Sequence, residues 1–210
     1  MSHYNENYFK WQQTIGMLTG SANRFMYQPY VGKEDVVLDF GCGGGYLLAQ
    51  LDCRSKLGVE INPAACLQAQ AQGIEVATDV RAFAGTPADV IISSHALEHT
   101  FQPRDILGDL RGALRSGGRL VLVTPFERNS PWTPGDINQH LYTWSPMNLG
   151  NLVASAGFRV ESSEIIYHRF PPKAQALRSL FGAFGFHFLC LLWGRISRSV
   201  VQVRVVATKP

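Results

Sequence analysis

The chain has 210 residues, 46% of them hydrophobic, and a formal charge of +3. At roughly 150 residues per domain this is one generous domain, able to bury roughly 70% of its unfolded surface without disulfides or metals. Disordered, collagenous and low-complexity classes are excluded, and so small a net charge gives no argument for nucleic acid. The charge is unevenly placed: residues 165–210 hold 7 of the 19 Lys/Arg and none of the 16 Asp/Glu, so a basic tail follows an acidic body.

The chain begins with a polar stretch that lacks the apolar run of a secretory signal, which makes a cytoplasmic location the expectation. Helical spacing at Trp11, Ile15 and Leu18 reads as an N-terminal helical cap over residues 1–33. The first strand is Val36 to Phe40, followed by a glycine-rich turn and an apolar helix start from Tyr46 to Leu51. Lys56 to Glu60 is a second strand, and Pro63 opens a helix as a first-turn proline. Ile74 to Ala77 is a short third strand ending at Thr78-Asp79, and Ala88 to Ser93 is a fourth. A helix from Pro103 to Arg115 is stopped by Gly117-Gly118, and Arg119 to Thr124 is a fifth strand broken by Pro125. Ser145-Pro146 caps a helix lasting to Ala156, Gly157 ends it, and Phe158 to Tyr167 is a sixth strand. Val200 to Thr208 is a seventh, reached through a long insertion over residues 168–199. Alternating strands and helices predict an α/β sheet with right-handed crossovers in a single domain, 1–210.

Four cysteines, Cys42, Cys53, Cys66 and Cys190, lie 11, 13 and 124 residues apart. No CxxC pair exists for zinc or redox work, so reduced structural thiols are the reading.

Gly41, Gly43 and Gly45 form GxGxG between strand and helix. The dinucleotide fingerprint places its third glycine where Tyr46 stands, and no Gly-Lys-Ser/Thr follows for a phosphate loop. Asp39, two residues before the loop, would repel a pyrophosphate, so the loop suits a cationic ligand. Glu60 closes the second strand, where a carboxylate accepts ribose hydroxyls, and Asp79 closes the third, where one accepts an adenine amino group. A ligand with ammonium, ribose and adenine but no phosphate satisfies all three.

These segments, VLDFGCGGGYLL, LGVEINPAA, ATDV, ADVIISSHALEHT and LRSGGRLVLVTP, resemble the class I S-adenosylmethionine-dependent methyltransferases over about Val36 to Gly157. The resemblance implies a Rossmann-like, doubly wound, seven-stranded, mostly parallel sheet with an antiparallel last strand, its final hairpin interrupted by the insertion. It implies S-adenosyl-L-methionine as cofactor. Asp39 and the backbone of Gly41, Cys42, Gly43, Gly44 and Gly45 would hold the methionine end, Glu60 with Ile61 the ribose, Asp79 with Val80 the adenine, and Ser94 and His95 would pass near the sulfonium.

His95 to His99 also spells HxxEH, the inverzincin protease motif when it lies within a helix. Its place at a strand end, with Pro103 four residues on, leaves at most a turn or two of helix and argues against a protease. Some quinone-pathway relatives hold a divalent ion here with acids and a histidine; His95 replaces one such acid, and no metal is assigned.

Methylation of a hydroxyl needs a proton removed, and His99 is the candidate base, against a structural tie to a neighbouring loop. His140 and Tyr142 read as substrate contacts over the sheet's carboxyl ends or as loop packing. Leu180 to Gly194 holds no formal charge between Arg178, Arg195 and Arg198, and is too short to span a bilayer. Over residues 176–198 this segment reads as a buried helix, a self-association surface, or an interfacial helix or lid over an apolar or lipid-linked acceptor. The expected function is methyl transfer to a small-molecule acceptor at oxygen, without nucleic acid. The alternative within the fold is a ligand sensor or inactive relative.

Overall fold

The sheet is built from continuous apolar runs that feed two cores at once. β1 (Val36–Phe40) sends Val36 and Leu38 to one face and Val37 to the other. The structure, a computed structural model, describes residues 13, 16, 19–127, 131–197 and 201–210. The expectations for Trp11, Ile15 and Leu18 lie outside the described residues.

β2 (Ser55–Val59) follows, then α1 (Pro63–Ala71), β3 (Glu75–Ala77), β4 (Ala88–Ser94), α2 (Pro103–Ala113) and β5 (Leu114–Phe126). α3 (Pro146–Ser155), β6 (Arg159–Ile166), α4 (Ala174–Ser197) and β7 (Val201–Thr208) complete the chain. The strand order is β3-β2-β1-β4-β5-β7-β6, parallel from β3 to β5, with β7 antiparallel to both β5 and β6. This is the mostly parallel, Rossmann-like sheet with an antiparallel last strand. β5 alternates Leu120 and Leu122 with Val121 and Val123 between the two cores, as a strand covered on both faces must.

Local chemistry sets the helix ends. The Asn62 side chain accepts from Ala64 N at 3.0 Å, and Pro63 takes the first helical position. Ser145 and Asn148 form a reciprocal capping box at α3, and Gly157, at φ 89°, ends it. Lys209 Nζ donates to the carbonyls of Arg111 at 2.8 Å and Leu114 at 2.6 Å, so the chain end secures the exit of α2.

Two expectations need correction. The apolar run from Tyr46 to Leu51 forms only a 3-10 turn, Leu48–Gln50. Gly41, Gly43 and Gly45 all have positive φ, so helical geometry cannot start before Tyr46, and β2 begins at Ser55. β5 is also longer than expected: α2 ends at Ala113, and the strand runs from Leu114 through Gly117-Gly118 and past Pro125. Val123 O accepts from His95 N at 2.9 Å, so it faces β4. Pro125, two residues on, turns its missing N–H to the same side, beyond the end of β4, and keeps its pairing with β7 at Gln202.

Gly45 is where the loop is least replaceable. Its φ is 78°, and an added Cβ would lie 2.4 Å from Ile74 Cδ1 and 3.3 Å from Ala69 Cα. Gly73 has the same φ and nothing within 4 Å. Gly45→Ala should therefore lose about 2 kcal/mol or more, against about 1 kcal/mol for Gly73→Ala, read from urea midpoints at unchanged m. Equal losses would remove the crowding argument.

Candidate functional site

β1 continues outward to β2 and β3, while β4 lies on its other side, so a crevice opens beyond the carboxyl ends of β1 and β4. The glycine loop crosses this crevice and is tied to the neighbouring strand: Gly41 N and Cys42 N donate to Val59 O at 2.9 and 3.1 Å. Glu60 clamps it from the side. Its Oε2 accepts from Gly43 N at 2.9 Å, and its Oε1 accepts from Ile61 N and Asn62 N, both at 2.8 Å. Three of about four acceptor positions on this carboxylate are thus used by backbone.

Beneath the loop, Asp39 is 2% exposed and its Oδ1 has no hydrogen-bond partner. Burial, and then the negative charge of Glu60, push its carboxyl up to about 8. A carboxyl in this state accepts a cationic ligand readily, because the ligand removes the desolvation penalty of ionising it.

A cavity of about 500 Å³ is lined by Asp39, Gly41, Cys42, Gly43, Gly44, Ser94, His95, His99 and His140, with Glu127, His168, Arg169 and Phe170 on its far wall. A smaller one, about 160 Å³, is lined by Glu60, Ile61 and Asn62 and shares Gly41, His95 and His99 with the first. Nine of the twelve expected cofactor-end residues thus line one cavity or the other. Gly45, Asp79 and Val80 line neither: Gly45 packs its loop against Ala69 and Ile74. Asp79 caps the 3-10 turn Val80–Phe83, and its ion pair with Arg81 holds its carboxyl down at about 2; Val80 is buried in the core. Tyr142 also stands outside: its hydroxyl donates to Phe101 O at 3.1 Å and its ring stacks on Trp144 at 5.3 Å.

His99 faces both cavities, and around it lies a compact group of rings and acids. Glu98 is fully buried, and neither carboxylate oxygen has a hydrogen-bond partner. His95 Nδ1 stands 3.5 Å and His140 Nε2 4.0 Å from Glu98 Oε1. His140 Nδ1 meets Glu127 Oε2 at 3.0 Å, and its ring lies edge-on to His99 at 5.0 Å. Burial alone would lower His95, but the Glu98 carboxylate beside it and the contact of its Nε2 with Gln202 outweigh that and hold the imidazole above its ordinary value. Leu141 N donates to Glu98 O at 2.9 Å, which presses the His140 loop onto the Glu98 turn. Ligand atoms of Glu98, His99 and His140 all lie within 4.8 Å of one another, a spacing compatible with a metal ion.

The HxxEH geometry is absent. His95 is left-handed at φ 53°, and the only helical turn is the 3-10 segment Leu97–His99, so His95 and His99 do not share a helical face. Sequence reading missed Glu127 as a partner of His140 and undervalued Glu98. Glu98 had a signal, its place between two histidines; Glu127 had none, because its role exists only once the loop folds back.

Residues 21–163 match the model of the methyltransferase domain family. An uncharacterized methyltransferase of Mycobacterium tuberculosis is 30% identical over 82% of this chain and 85% of that protein. The ubiquinone biosynthesis O-methyltransferase of a Ruegeria species is 30% identical over 48% of this chain and 44% of its own length. A tRNA U34 carboxymethyltransferase of Tolumonas auensis is 30% identical over 60% of this chain and 45% of its own length, so the chain spans less than half of these last two. Among solved structures, the Haloferax volcanii complex with the Trm112 methyltransferase activator contains a chain with TM-score 0.70 and 16% identity, covering 98% of this chain and 95% of that one.

The state of Asp39 has a direct thermodynamic signature. Its folded carboxyl titrates about 4 units above its ordinary value, so the stability it lends is present in acid and is lost as pH rises through about 8. Ligand-free protein should therefore lose stability between about pH 4 and pH 8, and Asp39→Asn should flatten that decline and be the more stable form above pH 8. Thermal melts across this range check it; a variant with the same slope as the parent would refute the assignment.

Proposed function

We propose an oxygen acceptor, on a small and largely apolar molecule, for this chain, which belongs to the class I S-adenosylmethionine-dependent methyltransferases. The observation that carries the reading is His99, placed where the two cavities meet and backed by a buried, unpartnered carboxylate.

The cofactor fits the residues present. Asp39 Oδ1 offers an unpartnered acceptor to an ammonium, and the backbone of Gly41 to Gly45 passes beside it. We assign the ribose to the open position on Glu60, beside Ile61. The adenine goes to Asp79, beyond the end of β3, where the exposed Arg81 pair opens at little cost. Ser94 and His95 border the methyl-bearing end. When bound, the cofactor supplies a methyl group on a positively charged sulfonium.

An acceptor hydroxyl held in the larger cavity would lie beside His99, which would take its proton as the methyl group is transferred. The countercharge for that proton is Glu98, desolvated within reach of three imidazoles. Glu127 holds Nδ1 of His140 and thereby fixes its tautomer on the acceptor side of the cavity. Phe170, Pro125 and Leu47 give the cavity apolar wall, and besides its four histidines the described lining holds two acids, Asp39 and Glu127, and one guanidinium, Arg169. That balance favours a small apolar acceptor over a phosphate-rich RNA. The Ruegeria relative, named for O-methyl transfer, supports the same atom.

A second reading rests on the two unbonded oxygens of Glu98. A divalent ion held by Glu98, His99 and His140 would act as a Lewis acid toward an acceptor oxygen. The two readings differ in one result: exhaustive chelation leaves turnover intact under the first and abolishes it under the second.

His99→Gln should retain S-adenosylhomocysteine binding while lowering kcat by roughly 10²- to 10⁴-fold, with product formed only on hydroxylated members of an acceptor panel. Methylation of amines or RNA instead would contradict the oxygen assignment, and no turnover on any acceptor would favour a ligand sensor.

A further inference from the structure

α4 is anchored on one side and bare on the other. Phe186, Cys190 and Gly194, at every fourth residue, are buried against the body. A Cβ on Gly194 would lie 2.6 Å from the Tyr167 carbonyl carbon, and Arg169 N donates to Cys190 O at 3.1 Å, so the helix is seated flush. Its packing requirement is met by that face. The outward face nevertheless carries Leu180, Phe184, Phe188, Leu192 and Ile196, again at every fourth residue, with Phe181 beside them. Phe184 is 89% and Phe188 63% exposed. A kink at Gly182, φ 65°, divides the helix but leaves the stripe on both parts.

Along the chain, the charge flanking this stripe has one sign. Lys173 and Arg178 lie at one end of α4 and Arg195 at the other, and no Asp or Glu occurs anywhere in residues 165–210. An apolar stripe framed only by cations complements an apolar layer bearing anionic headgroups. By length and composition α4 passes for a span, but the break at Gly182 divides it and its seated face ties it to the sheet, which favours lying in the interface plane.

We propose that α4 docks this enzyme on an anionic bilayer, its Leu180 to Ile196 stripe buried among the lipid chains and its flanking cations at the headgroups. The placement links membrane to chemistry. His168, Arg169 and Phe170, immediately before α4, wall the reactive cavity, while a second, apolar cavity of about 600 Å³ opens between Phe25 and Pro29 on one side and Phe184 and Phe186 on the other. An acceptor with an apolar tail would enter from the lipid along this path. The docking does not depend on which atom is methylated.

Co-sedimentation of the full chain with vesicles of phosphatidylcholine, alone or mixed with phosphatidylglycerol, tests the proposal. Binding should be much stronger to the mixed vesicles and fall with added salt. The double variant Phe184→Asp/Phe188→Asp should bind them at least about tenfold more weakly, with S-adenosylhomocysteine affinity unchanged as the measure of intact fold. Leu192→Asp, on the same stripe but lining neither cavity, provides an independent variant. Any of three results would overturn the proposal: no vesicle binding by the parent, undiminished binding by both variants, or a salt-stable dimer of the parent that the variants dissociate, which would assign the stripe to a second copy. Turnover of a water-soluble hydroxyl acceptor, measured in parallel, reports on the oxygen reading separately.

Discussion

A buried carboxyl group, one of whose oxygens has no hydrogen-bond partner, is the constraint around which this molecule is arranged. Asp39 sits near the end of a central strand, covered by the glycine loop, with a second carboxylate, Glu60, close enough to oppose its ionisation. Leaving such a group unpaired is costly, and natural cores avoid it unless a ligand completes it. The surroundings hold the arrangement in place. Positive φ at three glycines carries the chain over the carboxyl, backbone bonds to Val59 O pin the loop, and Glu60 spends most of its acceptor capacity on the loop's own amides. The geometry of the loop is thus paid for inside the protein, while the charge at its centre waits for a cation from outside.

A second buried carboxylate repeats the logic at the reactive end. Glu98 lies among three imidazoles with neither oxygen hydrogen-bonded, so its charge is near all three rings and committed to none. The two orphaned acids bracket the crevice, one suited to the fixed positive end of the cofactor and one to a proton in transit. The acid-free C-terminal region contributes His168, Arg169, Phe170 and Gln202 to the same cavity, so the uneven charge seen along the chain meets the acids at the site.

Much of this was readable before any coordinates, because the informative signals are local. Glycines at alternate positions, an acid at each of three strand tips and a proline in a helix's first turn act within a few residues, and the apolar runs that mark doubly covered strands need no partner to be recognised. The misses share the opposite character. Whether Tyr46 to Leu51 becomes a helix depends on how much chain the glycines consume before β2. Whether Pro125 ends a strand depends on which side its absent N–H faces, which only the ladder with β4 decides. Glu127 acquires a role by meeting His140 across a loop closed through Leu141 and Glu98, and Asp79 pairs with Arg81, neither of which spacing reveals. The alternation of buried and bare faces on α4 was visible only in part, since composition cannot say which side meets the sheet.

Calorimetry of S-adenosylhomocysteine binding at pH 7, run in buffers of different ionisation enthalpy, addresses the central claim most directly. With Asp39 titrating at about 8 in the free protein and ionised beside the ligand ammonium, binding should release about 0.9 proton per ligand, and Asp39→Asn should abolish the release. Binding without proton release, or the same release from Asp39→Asn, would contradict the account.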